Sequence, residues 1–126
     1  MILRPTTPEE RRAFIQSQTT VVTPPLTPEI RLHLATEITP IWMATEATLE
    51  ANNLPPPYWA FAWPGGQALT RFLLDHRDWV AGKRVLDFAA GSGLSAIGAA
   101  MAGAARCIAN EIDDFAADAI GLHARL

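Results

Sequence analysis

Polar residues and prolines break the first half of the chain into short apolar groups, and small residues fill the second. In the first half, Ile41, Ala44, Ala47 and Leu49 recur at spacings that place them on one helical face, with Trp42 nearby. Two segments read as helix starts, Thr27-Pro28-Glu29 and Thr39-Pro40, each offering a capping hydroxyl before a proline at the first helical position. Glu29 adds a negative charge where the helix dipole favours one. Asn52-Asn53 followed by Pro55-Pro56-Pro57 ends the second helix and forces an extended stretch. The pattern predicts a helical N-terminal layer and rigid lead-in over residues 1–64.

The second half reads differently. Gly66 to Leu74 is a helix candidate and Ala81-Gly82-Lys83 a turn. Arg84-Val85-Leu86-Asp87-Phe88 is a short apolar run of the kind found in a buried strand. A small-residue loop, Ala89-Ala90-Gly91-Ser92-Gly93, leads into an Ala-rich helix from Leu94 to Met101, which Gly103 ends. Arg106-Cys107-Ile108-Ala109-Asn110 is a second strand candidate, and Asp113-Asp114 caps a helix running to Leu126. Strand, glycine loop, helix, strand and helix open a doubly wound α/β sheet, so residues 65–126 are expected to form its first two parallel strands, an incomplete Rossmann-like domain.

Composition sharpens that division. All ten prolines lie between Pro5 and Pro64, and all eight glycines between Gly65 and Gly121, which marks a change of architecture near residue 64. A formal charge of −3 without basic runs argues against nucleic-acid or anionic-membrane binding. Ala96 to Ala105, the longest stretch free of polar and charged side chains, is mostly Ala and Gly and falls short of the ~18 residues of a spanning helix. Met1 to Thr20 has no apolar secretory segment, and the single Cys107 excludes an internal disulfide framework. The expectation is a soluble, cytoplasmic-type protein. His33, His76 and His123 are far apart in sequence, without ligand spacing, so no metal is expected.

The informative constellation is Asp87-x-Ala89-x-Gly91-x-Gly93, with Glu111 twenty positions after Gly91. Gly91 and Gly93 lack a Cβ, so a ligand can lie against the backbone, and the following helix offers unpaired N–H groups. An acid after the second strand can accept hydrogen bonds from both hydroxyls of a ribose. Asp87 would repel a pyrophosphate and favour a cationic group such as an ammonium. Gly91-Ser92-Gly93-Leu94-Ser95-Ala96 also fits the looser dinucleotide pattern G-x-G-x-x-A, so a nicotinamide-dependent oxidoreductase stands as the alternative. An adenosine joined to a zwitterionic amino acid suits the two acids better, and S-adenosylmethionine is such a ligand.

At these residues the chain resembles a class I S-adenosylmethionine-dependent methyltransferase. Pro57-Tyr58-Trp59-Ala60-Phe61-Ala62-Trp63-Pro64-Gly65-Gly66-Gln67-Ala68-Leu69, then Leu73-Leu74-Asp75, resembles the block before the first strand in the seven-strand protein lysine methyltransferases. With Ala109-Asn110-Glu111-Ile112-Asp113, the chain is most similar to the electron transfer flavoprotein beta-subunit lysine methyltransferases, which are related to the ribosomal protein L11 methyltransferases. The resemblance implies that Asp87, Gly91, Ser92 and Gly93 line the methionine end of the cofactor. It implies further that Glu111 holds the ribose, Ile112 packs on the adenine, and Trp63 covers the cofactor from the N-terminal side. Ala89 stands where the family loop has its first glycine, an exchange that an ordinary helical or extended backbone tolerates. The implied substrate is a lysine side chain of a protein, such as an electron transfer flavoprotein beta subunit or a ribosomal protein. The family's sheet has roughly seven strands, so the resemblance also implies a C-terminal truncation, with the catalytic, substrate-facing residues beyond residue 126. Two parallel strands alone leave apolar surface uncovered, and a non-catalytic fragment that needs a partner chain is a further alternative.

The remaining residues have plainer expectations. Trp42, Trp59 and Trp79 are expected in core or inter-helix packing. Cys107 is expected to be a small buried apolar residue, and Glu9-Glu10 and Asp113-Asp114 solvated or helix-capping. Asp75 and Asp78 beside Arg77 read as an exposed surface turn.

Overall fold

The computed structural model describes residues 4–44 and 46–126. The chain opens with a helix that the hydrophobic pattern does not announce, α1 (Pro8–Gln18). Thr7 caps it by accepting a hydrogen bond from Glu10 N at 3.1 Å, Pro8 takes the first turn, and Glu10 in return accepts from Thr6 N at 3.0 Å. Glu10 is therefore a capping acid, and the backbone N–H of Thr6 holds its carboxyl below the usual range.

The same Thr-Pro-Glu signal at residue 27 starts no helix. β1 (Thr20–Val22) and β2 (Leu32–Leu34) pair as an antiparallel hairpin, with Val21 opposite His33. Two successive turns join them. Thr27 N donates to Pro24 O and Ile30 N to Thr27 O, so Pro25 and Pro28 each occupy the second turn position, where a fixed φ is favourable. Thr27 is buried with its hydroxyl unpaired instead of capping, and Glu29 pairs with Arg71.

Thr39-Pro40 also departs from expectation. It opens a 3-10 turn, Pro40–Met43, and the Thr39 hydroxyl bridges Thr36 N and Thr36 O, both at 2.8 Å, instead of capping. The continuous helix expected across residue 45 is replaced on either side of that undescribed residue by this turn and the short α2 (Glu46–Ala51). Ile41 is buried while Ala47 is exposed, so the four apolar positions do not share one covered face. Asn53 ends α2 at φ +58°.

From residue 64 the elements match the sequence closely: α3 (Pro64–Asp75), β3 (Arg84–Phe88), α4 (Leu94–Met101), β4 (Arg106–Asn110) and α5 (Asp114–His123). β3 and β4 are parallel, Asp87 facing Ala109 in register, with α4 as the crossover. The chain is thus mixed α/β, with one antiparallel and one parallel two-stranded sheet among the described residues. Asp113 caps α5 by accepting from Phe115 N at 2.9 Å.

Three apolar clusters hold these elements. α5 sends Phe115, Ala116 and Ala119 against Ile15 of α1, Ile41 and the buried Trp59, so this core draws on both halves of the chain. Ile30, Leu32 and Leu34 pack on Leu74 and Leu94, and Val80 packs on Ala99 of α4 and on Ala102 just after it. Of the tryptophans expected in core or inter-helix packing, Trp59 is buried in the core, while Trp42 and Trp79, on short 3-10 turns, stay about half exposed and pack their rings on Phe61 and on Phe72 of α3. The strands, expected to be buried, are open on one side: Leu86, Phe88 and Ile108 are 62%, 78% and 48% exposed, because helices cover only the other face of this sheet.

Candidate functional site

The loop from β3 to α4 has three positive φ angles at alternate positions, Ala89 (+54°), Gly91 (+58°) and Gly93 (+79°). That repeat is the physical reason for glycine at every second position of such a loop, since only glycine enters this region without steric cost. The backbone at Ala89 is not the helical or extended one that would tolerate alanine: it is an L-residue in a left-handed conformation. The loop is pinned at several points. Ala90 N donates to Asn110 O at 2.9 Å, Gly93 N to Ala90 O at 2.9 Å, and Gly91 N to the Glu111 carboxylate at 3.1 Å.

Glu111 is held in turn by Asp113 N, which donates to its second oxygen at 3.0 Å. Its carboxylate therefore ties the glycine loop to the end of β4. Asp87, at the end of β3, accepts from Ala96 N at 3.1 Å and so satisfies one of the free N–H groups in the first turn of α4. Burial holds the Asp87 carboxyl above its ordinary range, the N–H of Ala96 pulls it back, and the charge of Glu111 raises it further. Burial and the charge of Asp87 likewise push the Cys107 thiol up, though its side chain is half-buried and not fully buried as expected.

The sequence-derived residues gather around two adjoining cavities, except Gly93, which lines neither. One, of about 510 Å³, is lined by Trp63, Asp87, Ala89, Gly91, Ser92 and Glu111, together with Tyr58 and Phe61. The other, of about 770 Å³, is lined by Glu111, Ala89 and Ile112 with Pro55, Pro56, Tyr58 and Trp59. Glu111, Ala89 and Tyr58 belong to both and mark their junction. Ile112 is 99% exposed at the second cavity, an apolar surface open to a ligand. A Cβ on Gly91 would meet no atom within 4 Å, so bare backbone faces open space there. Gly93 is different: it is buried, and a Cβ on it would lie 2.9 Å from Ile120, so its bareness also serves the packing of α5.

Three participants escape a reading of the sequence by motif. Tyr58 and Phe61 line the first cavity, yet the aromatic block that contains them is legible only as a family resemblance. His123 is buried in α5 and its Nδ1 lies 2.8 Å from Ser92 O, so it supports the loop from behind. The histidines that are distant in sequence also meet in space, His33 and His123 stacking with centroids 5.8 Å apart. Burial drives His123 down to about 4, the Ser92 carbonyl opposing. Among the described residues no group of His, Cys, Asp and Glu is placed to hold a metal ion.

A parallel β-α-β unit with a bare-backbone loop and an acid after its second strand is an arrangement that recurs in α/β folds. Comparison with known proteins gives the particular family: the chain is homologous to the electron transfer flavoprotein beta subunit lysine methyltransferases. It is 47% identical to the human protein of that name over 121 residues, covering 93% of this chain and 44% of that one. The Xenopus laevis protein is 46% identical over 115 residues, covering 91% and 46%. The Caenorhabditis elegans homolog is 50% identical over 91 residues, covering 72% and 36%. The chain thus spans less than half the length of the curated relatives it matches. No family model and no solved structure matches it.

Proposed function

We propose that this chain is the cofactor-binding part of an S-adenosylmethionine-dependent protein-lysine N-methyltransferase. The observation that carries the reading is the first cavity's composition. Two carboxylates, a bare glycine backbone and aromatic rings line it, and among the described residues no Lys, Arg or His does. Such a lining repels a pyrophosphate, as in a dinucleotide, and favours a ligand that carries positive charge. The residues fit the proposed cofactor. Gly91 leaves room for its amino-acid end, Asp87 faces its ammonium, Glu111 can accept from its ribose hydroxyls while keeping its backbone donors, and Ile112 offers apolar surface to an adenine. When bound, S-adenosylmethionine supplies a methyl group already activated by the positive sulfur. The chain's contribution is to orient it and to exclude water from it, and positioning of this kind supplies several kcal/mol of barrier lowering. The protein acceptor is taken from the names of the relatives and the family resemblance: a lysine of an electron transfer flavoprotein beta subunit, or of a ribosomal protein. A reducing, cytoplasmic compartment completes the reading.

Isothermal titration tests it with S-adenosylhomocysteine and NAD as competing probes. Selective uptake of S-adenosylhomocysteine is expected, and selective uptake of NAD overturns the reading in favour of an oxidoreductase. Glu111→Ala weakens S-adenosylhomocysteine binding by about 1–3 kcal/mol, because it removes the ribose acceptor and unties Gly91 N. Gly91→Val weakens it further, since a branched side chain at φ +58° strains the loop and fills the cavity. Unchanged affinity in both variants would contradict the placement of the ligand.

A further inference from the structure

Aromatic rings form a continuous row beside the glycine loop. Trp42 contacts Phe61 at 6.0 Å between centroids, Phe61 contacts Trp63 at 5.6 Å, and Trp63 contacts Tyr58 at 6.1 Å. Trp42, Tyr58 and Trp63 are about half exposed, and exposed aromatic surface in a contiguous patch marks a site of contact. The row is stiff. Prolines at 55–57 lead into it, Pro64 comes directly after it at the start of α3, and the Trp63 indole N–H donates to Tyr58 O at 3.0 Å. That bond fixes the indole plane and uses its only donor within the protein.

The cavity therefore has two linings of different chemistry. Asp87, Glu111 and the Gly91 backbone offer polar partners, which suit an amino acid and a ribose. Tyr58, Phe61 and Trp63 offer ring faces, negative at their centres, which suit an alkyl stem that ends in a cation. The two carboxylates add attraction for positive charge, and no basic side chain in the described lining opposes it. Tyr58 also borders the second cavity, at the junction of the two.

We propose that Tyr58, Phe61 and Trp63 seat the side chain of the lysine that accepts the methyl group, its alkyl stem on the rings and its amine reaching into the cavity they line. This rests on the methyltransferase reading above. It assigns a side of the site that reading leaves open, and it makes the three rings specificity residues for a long unbranched cationic side chain. An apolar peptide residue would find the rings but be repelled by no group and attracted by no charge, so the amine is the discriminating feature.

The test uses two probes on the S-adenosylhomocysteine-saturated chain, N-acetyl-lysine N-methylamide and its norleucine counterpart, which is apolar and of similar length. The Trp63 indole N–H resonance in a 1H–15N NMR spectrum is the reporter. It is expected to shift with the lysine probe and at least fivefold less with the norleucine probe. Tyr58→Ala and Phe61→Ala are expected to weaken the lysine probe tenfold or more and S-adenosylhomocysteine by a clearly smaller factor. Tyr58→Phe, which keeps the ring, retains binding and controls for folding. Equal shifts with both probes, no shift with lysine, or parallel loss of both ligands in the alanine variants would overturn the assignment while cofactor binding by the unaltered chain leaves the methyltransferase reading standing. Failure of that chain to bind S-adenosylhomocysteine would sink both together.

Discussion

Ala89 holds φ at +54°, where an L-residue is disfavoured by roughly 1–2 kcal/mol and glycine is not. Glycine returns part of this through the greater entropy of the unfolded chain. Ala89→Gly is therefore expected to stabilise the chain by about 0.5–1 kcal/mol, read as a higher urea midpoint at unchanged slope. His123 has the opposite character, a buried group with an acid liability. Its folded value of about 4 lies below the ordinary 6.5, so the unfolded chain binds its proton first. The stability it permits is fully present above pH 6.5 and falls between pH 6.5 and 4, by about 2 kcal/mol at pH 5. His33, also held down by burial, acts in the same sense, while Asp87 and Asp113, held up by burial, gain protons on folding and oppose it at the acid end. The difference between unaltered chain and His123→Gln isolates the histidine: urea midpoints measured at pH 7 and pH 5 should separate far more for the former.

At the scale of elements, one short motif has two outcomes. Thr7-Pro8-Glu9-Glu10 and Thr27-Pro28-Glu29 carry the same local instruction, yet the first caps eleven helical residues and the second sits in a turn. The residues downstream of each motif decide between the two. Residues 11–18 contain no breaker and present Ile15 to the core, whereas Leu32, His33 and Leu34 are all buried in a hairpin that needs them extended. Caps are local and hairpins are not, which is why the N-terminal half is poorly legible in the sequence while the β-α-β unit, whose glycines and strands succeed one another along the chain, is legible almost to the residue. The candidate site divides the same way. Asp87, Gly91 and Glu111 are near neighbours in one unit, but the approach of Tyr58 and His123 depends on packing between units. A further close approach belongs to this scale. α3 and α4 meet where a Cβ on Gly98 would lie 2.4 Å from the Thr70 side chain, and Thr70 is buried, with its hydroxyl on Gly66 O and 3.0 Å from Ser95 Oγ. Gly98→Ala is expected to cost roughly 1–3 kcal/mol through this overpacking, despite the better helix propensity of alanine, and a thermal melt would register it as a lower midpoint.

The whole molecule has a two-faced sheet. On one face Val85, Asp87, Cys107 and Ala109 are half-buried and α4 packs over β3 and β4, while on the other Leu86, Phe88 and Ile108 stand open between Arg84 and Arg106. Parallel sheets are normally covered on both sides, because their strands carry apolar residues to each. The matched portion is less than half of the length of the relatives. Burying a Leu or Ile side chain is worth about 1.5–3 kcal/mol, so three such residues left in water form a surface with a strong drive toward apolar contact. The chain is therefore expected to enhance the fluorescence of an apolar-surface dye at neutral pH while its near-ultraviolet circular dichroism stays that of a packed protein. Leu86→Thr, Phe88→Thr and Ile108→Thr together should lower the dye signal markedly and the melting midpoint little, since none of the three side chains is buried; an undiminished dye signal would place the open apolar surface elsewhere.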